Sequence, residues 1–132
     1  MDVIAWIKKD EGYNSKPYKD SLGIWTIGYG TNLEQGITKK QAEFLMLAEI
    51  ETCLDELNNY TWYTMQSAAR KDALLNMCYN LGMPRLLTFK KMIRYLENRD
   101  YANAALEAMD SRWAMQVGQR AKDVAVMIRE GK

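Results

Sequence analysis

The sequence predicts an α+β fold that is mostly helical: a small β-hairpin lobe, a long connecting helix and a helical lobe. Three observations carry this. Tyr18 to Gly30 is a glycine-punctuated run of β-formers, Lys39 to Leu57 is the longest helical pattern in the chain, and everything beyond Asn58-Asn59-Tyr60-Thr61 is helical in character. The chain reads as one domain over 1–132, with 13–38 as the small lobe and 39–58 as the connecting helix. The helical lobe is 59–132, and the helix at 2–12 is expected to join it.

Asp2 can cap a first helix whose apolar face is Val3, Ile4 and Ile7, and Gly12 ends it. Pro17 then excludes further helix. A hairpin follows, with its turn at Asp20-Ser21-Leu22-Gly23 and its second strand at Ile24-Trp25-Thr26-Ile27. Gly28, Gly30 and Gly36 keep the next loop tight. Thr38-Lys39-Lys40-Gln41 has the form of a capping box. In the helix it opens, Met46, Ile50, Cys53, Leu54 and Leu57 recur at three- and four-residue steps and make one face apolar. Further helices are predicted near 62–81, 89–98, 101–108, 110–115 and 119–129, punctuated by Gly82, Pro84, Asn98-Arg99-Asp100 and Gly118.

A chain of 132 residues can bury a core without disulfides or metal. The first eight residues, Met1 to Lys8, are too short and too soon charged for a signal peptide or membrane span, so the chain is expected to stay in the cytoplasm where it is made. With no histidine, Ser-His-Asp and Cys-His nucleophilic systems and His-ligated zinc are excluded. Cys53 and Cys78 are expected to be reduced core residues. The net charge of +1 hides an asymmetry, −4 over residues 1–60 and +5 over 61–132. A basic second half would attract a polyanion such as a bacterial envelope or a nucleic acid, or else is an uneven but solvated surface, and no clustered stripe of basic residues with interleaved aromatics points to nucleic acid.

What remains for chemistry is carboxylates, hydroxyls, lysines and arginines. Glu11 falls in the last turn of its helix, beside the partial negative charge of the C-terminus, which favours the protonated acid. Asp20, in a polar turn, is expected to stay ionised. Thr26, on the facing strand, can hold a water beside Asp20. Two carboxyl groups in different environments can divide acid and base roles at one glycosidic bond.

The block Glu11-Gly12, Tyr18-Lys19-Asp20, Thr26-Ile27-Gly28-Tyr29-Gly30 resembles the active-site signature of phage-type lysozymes, the muramidase family that includes the T-even phage enzyme. The likeness continues through Ile37-Thr38-Lys39, Ala73-Leu74-Leu75-Asn76-Met77, Ser111-Arg112-Trp113 and Gln119-Arg120-Ala121-Lys122, and so covers nearly the whole chain. It implies a lysozyme-like fold with the active-site cleft between the lobes. It implies catalytic roles for Glu11 as general acid, Asp20 as the carboxylate that stabilises positive charge at the sugar and activates water, and Thr26 as the residue positioning that water. Arg120 matches an arginine that approaches the catalytic Glu, and an ion pair with Glu11 would favour the carboxylate, against the helix terminus. Asn32, Tyr79, Asn80 and Trp113 would bind substrate, although Trp113 reads equally well as a packed core residue. Two departures stand out. Thr31 occupies a position where many relatives have His, so a bridge to Glu49 is impossible, and the segment from Thr31 to Thr38 is shorter than in the T-even enzyme, leaving a lobe little larger than the hairpin.

The resemblance implies an endolysin-type hydrolase of the β-1,4 bond between N-acetylmuramic acid and N-acetylglucosamine, acting with inversion. It implies a monomer whose partner is the glycan strand of bacterial peptidoglycan, with no metal, no cofactor, no nucleic acid and no membrane insertion. Such an enzyme would wait in the host cytoplasm and act on the wall after membrane permeabilisation. Two alternatives use the same residues differently: a lytic transglycosylase, which needs the acid but no carboxylate-held water, and a non-catalytic wall-binding virion component. Asp20 and Thr26 argue against the first, and the complete triad against the second.

Overall fold

The computed structural model describes residues 2–132, which form two compact units divided between Leu45 and Met46. In the first unit, helix α1 (Val3–Glu11) starts where Asp2 Oδ1 accepts the Ile4 N–H at 2.9 Å. It stops at Gly12, whose N–H makes the last helical bond to the Lys8 carbonyl at 2.9 Å and whose φ of 71° then turns the chain out of the helix. The apolar positions Val3, Ile4 and Ile7 are exposed.

An antiparallel sheet follows, made of β1 (Asn14–Lys19), β2 (Trp25–Gly28) and β3 (Thr31–Asn32) in that order. The turn lies where expected, closed by Asp20 N–H to the Ile24 carbonyl and Gly23 N–H to the Asp20 carbonyl, both at 2.9 Å. The sheet is larger than the predicted hairpin in two ways. Its first strand begins at Asn14, ahead of Pro17, because an edge strand tolerates a proline with no N–H to give, and the pairing is irregular between Asn14 and Tyr18. Its third strand has only two residues, too few to leave a periodic signature in the sequence.

Helix α2 (Lys39–Leu57) opens with the capping box in full. Thr38 N–H donates to Gln41 Oε1 at 2.9 Å, and Gln41 N–H donates to Thr38 Oγ1 at 3.2 Å.

The second unit holds the rest of α2 and seven further helices. The stretch expected to be one helix over 62–81 is two, α3 (Thr61–Thr64) and α4 (Ala68–Leu81). Ser67 breaks it: in extended conformation it takes the Arg70 N–H on its hydroxyl at 3.3 Å, the geometry of an N-cap. The buried Gln66 side chain lies in the break and donates to the Trp62 carbonyl at 2.8 Å. A short helix not anticipated, α5 (Met83–Leu86), carries Pro84 in its first turn, where a missing N–H costs nothing. Then come α6 (Lys90–Glu97), α7 (Tyr101–Met109), α8 (Arg112–Val117) and α9 (Gln119–Glu130). The predicted 110–115 segment shifts towards the C-terminus because Ser111, not Asp110, caps α8, taking the Ala114 N–H at 3.1 Å.

Leu57, Leu74, Met77, Leu86, Met92, Leu96 and Ile128 are completely buried and form the centre of this unit's core. α9 packs against both α4 and α7. Its C-terminal carbonyls are held by Arg70 of α4, whose Nε donates to the Ile128 carbonyl at 2.7 Å while its guanidinium stacks 3.3 Å above the Tyr101 ring. A cation at this end also complements the helix dipole. Among the described residues no helix is long and apolar enough to cross a membrane.

Cys53 on α2 is half-buried and Cys78 on α4 is buried, and both thiols are free. Burial, followed by the neighbouring Cys53 thiol, pushes the Cys78 thiol from its ordinary 9.0 up to about 12. The folded state therefore prefers the neutral thiol. That contribution is complete below pH 9 and is lost as pH rises through about 12. Thiol titration at pH 8 should find Cys78 unreactive in the native protein and two thiols per chain after denaturation without reductant. Two fast-reacting thiols in the native state would show that this burial is wrong, and none after denaturation would reveal a disulfide.

Candidate active site

Glu11 is the last residue of α1, and its carboxylate lies against Gly30 just beyond β2. A Cβ at Gly30 would overlap Glu11 Oε2 and sit 2.9 Å from Cδ, so the bare backbone is what leaves room for the acid. Gly30 also has φ of 80°, which only glycine adopts without strain. The sequence marks this glycine as part of a tight loop; its contact with Glu11 depends on where the chain returns.

Asp20, half-buried, accepts the Leu22 N–H at 2.8 Å and the Ile24 N–H at 2.9 Å, both on Oδ1. Its Oδ2 makes no hydrogen bond among the described residues. Thr26 is buried in the central strand, opposite Tyr18 of β1 and Asn32 of β3. Its hydroxyl donates to the Ile24 carbonyl at 2.9 Å, which orients the lone pairs of Oγ1 away from that bond as acceptors. Ile24 thus ties the two together. Its N–H goes to the Asp20 carboxylate, and its carbonyl takes both the Asp20 N–H and the Thr26 hydroxyl. Nothing in the side chain of Ile24 announces this role, since the backbone performs it.

Asn32 uses Oδ1 within its own loop, accepting the Glu34 N–H at 2.9 Å and the Gln35 N–H at 3.3 Å. Only its Nδ2 donors remain for a ligand. Thr31 and Glu49 are both exposed, so water satisfies the Glu49 carboxylate in the absence of a histidine partner.

The remaining predicted site residues lie in the second unit. Trp113 is only 3% exposed and packs edge-on to Phe89, with ring centroids 6.4 Å apart. Its indole N–H donates to Asn80 Oδ1 at 2.8 Å, so the Asn80 amide holds a core tryptophan, leaving its Nδ2 as donor. Trp113 still contributes to the wall of a groove of about 620 Å³ alongside Phe89 and Arg112. Tyr79 is exposed and borders a smaller depression of about 410 Å³ with Asn76 and Arg120. Arg120 is oriented by Asn76, donating from Nε to Oδ1 at 2.7 Å and from Nη2 to the carbonyl at 3.4 Å.

Residues 8–129 match the family model described as phage lysozyme. The chain is 27% identical to a probable T4-type lysozyme 1 of Dictyostelium discoideum, over 95% of this chain and 92% of that protein. It is 26% identical to the SAR-endolysin of Enterobacteria phage P21, over 85% of this chain and 68% of that one. It is also 23% identical to the pre-baseplate central spike protein Gp5 of Enterobacteria phage T4, over 99% of this chain but only 28% of that protein. The chain belongs to the phage lysozyme family, and with it to the lysozyme-type peptidoglycan hydrolases.

Proposed function

We propose that this protein is an endolysin-type muramidase that hydrolyses the β-1,4 bond between N-acetylmuramic acid and N-acetylglucosamine. The observation that carries the reading is the joint support of Asp20 and Thr26 by the backbone of Ile24. Glu11 protonates the glycosidic oxygen. As that bond breaks, positive charge grows at the sugar and the Asp20 carboxylate stabilises it. Asp20 Oδ2 and the Thr26 lone pairs accept hydrogen bonds from the attacking water and aim it before the transition state, and Asp20 takes the proton that the water releases as its oxygen bonds to the sugar carbon. Water attack gives inversion. Arg120 pairs with Glu11, and Asn32, Tyr79, Asn80 and Trp113 contact the glycan. The enzyme works as a monomer and reaches the wall after the host membrane is breached.

Mass spectrometry of the products tests the chemistry directly. Hydrolysis leaves a reducing end, whereas a transglycosylase leaves an anhydro sugar; a non-catalytic binder leaves the wall intact. Thr26→Ala tests the water-holding role. Turnover should fall about 10-fold or more while binding of glycan fragments changes little, because the residue acts on water and not on sugar. Loss of a strand-favouring residue should also cost up to ~1 kcal/mol of stability, so the comparison belongs at a temperature where the variant is fully folded. Unchanged turnover would reduce Thr26 to a strand former and remove it from the mechanism.

A further inference from the structure

A cleft of about 560 Å³ beside α3 and α6 lies in the second unit and uses none of the residues assigned above. Its apolar lining includes Tyr60, Leu87 and Ile93, all half-buried, and Tyr60 is tilted against the buried Trp62 with ring centroids 5.4 Å apart. Helix α6 contributes Lys90, Arg94 and Glu97. Spacings of four and three residues place these three on one helix face. All three are exposed, and their side chains make no ion pair or hydrogen bond among the described residues. Even Arg94 and Glu97, close enough in sequence to pair, leave their charged ends free.

Two uncommitted cations and one uncommitted acid select a ligand by the pattern of its charges. A polyphosphate or nucleic acid, charged with one sign only, meets repulsion from Glu97, and a neutral saccharide uses none of the three. The ligand that answers the pattern carries two carboxylates and one ammonium group, with small apolar groups to cover Tyr60, Leu87 and Ile93. An uncrosslinked stem peptide of peptidoglycan has that chemistry. Its N-terminus is amide-linked to the glycan and uncharged. Its γ-linked glutamate keeps a free α-carboxylate, its terminal alanine keeps another, and its diamino residue keeps a side-chain amine until a cross-link consumes it. The alanine methyls supply the apolar contacts.

We propose that this cleft is a second, non-catalytic binding site for the uncrosslinked stem peptide, with Lys90 and Arg94 taking its carboxylates and Glu97 its ammonium group. The choice of that peptide rests on the peptidoglycan reading, under which a contact away from the cut bond would hold the enzyme on its polymeric substrate.

The test is a titration of the ¹⁵N-labelled 132-residue protein with the N-acetylated tetrapeptide l-Ala-γ-d-Glu-l-Lys-d-Ala, followed by amide NMR. The peptide should shift the amides of Tyr60, Lys90 and Arg94. Its analogue with both carboxyls converted to amides should bind about tenfold more weakly at these positions, as should the parent peptide to a K90Q/R94Q variant. Acetylating the lysine amine should weaken binding to the wild-type protein and make no difference to E97Q. No shifts at these amides, equal binding of the amidated analogue, no effect of K90Q/R94Q, or equal sensitivity of wild type and E97Q to lysine acetylation would each overturn the proposal. Tighter binding of the α-linked peptide of the same composition, built from l-residues, would overturn it in favour of a protein partner. No turnover enters this measurement. A failed titration therefore stands apart from a failed hydrolase reading, which wall lysis by the wild-type protein decides.

Discussion

Glu11→Gln should leave a folded protein that clears permeabilised cells about 10²–10⁴-fold more slowly than the parent. Glutamine has the shape of glutamate and fits the same space beside Gly30, but it carries no proton to give to the glycosidic oxygen. The loss should fall on turnover, with binding of glycan fragments largely retained. Thermal stability should hold or rise, since removing a functional carboxylate from a site shaped for activity commonly relieves a cost. Lysis at close to the parental rate would strip Glu11 of its role as the acid.

Gly30→Ala should be nearly as damaging to activity, although position 30 contributes no reactive group. The new methyl would occupy the space of Glu11 Oε2, so the carboxyl must move. A displacement of about 1 Å at a reacting group can cost on the order of 10²-fold in rate. A positive φ adds a separate penalty of about 1–2 kcal/mol in folding stability for any residue with a Cβ. Gly36→Ala isolates the two effects. Gly36 has φ of 75° but open space around its Cβ direction, so this control should lose stability and keep its rate once folded. Equal catalytic loss in both variants would mean that loop strain, and not the displaced acid, explains the defect.

The legible parts of this molecule are those decided within a few residues. Asp2, Gly12 and the Thr38–Gln41 pair cap their helices as the sequence implies, because each cap is a bond between near neighbours. The Asp20–Gly23 turn is equally local. The start of β1 was hidden by Pro17, whose tolerance depends on being at a sheet edge, a property of the assembled sheet. The division of 62–81 into two helices was not anticipated, and it rests on a single bond from the Arg70 N–H to the Ser67 hydroxyl. In the candidate site, Glu11, Asp20 and Thr26 are nominated by residue type and order. Their supports are not, since Gly30 and Ile24 act through backbone geometry. Asn80 and Trp113 are bonded to each other across 33 residues of sequence, a pairing that residue type alone does not announce.

The grip of Arg70 on the end of α9 joins residues 58 apart in the chain. Closing a loop of that length costs roughly 3.6 kcal/mol in chain entropy before any contact repays it. Such contacts are expected to form after the local helices and their nearest partners, so that substitutions at Arg70 should give low φ-values. Weakening the Arg70 contacts then does little to the speed at which the helical unit assembles and mainly shortens the time it stays assembled. Arg70 is expected to govern the lifetime of the folded unit more than its formation.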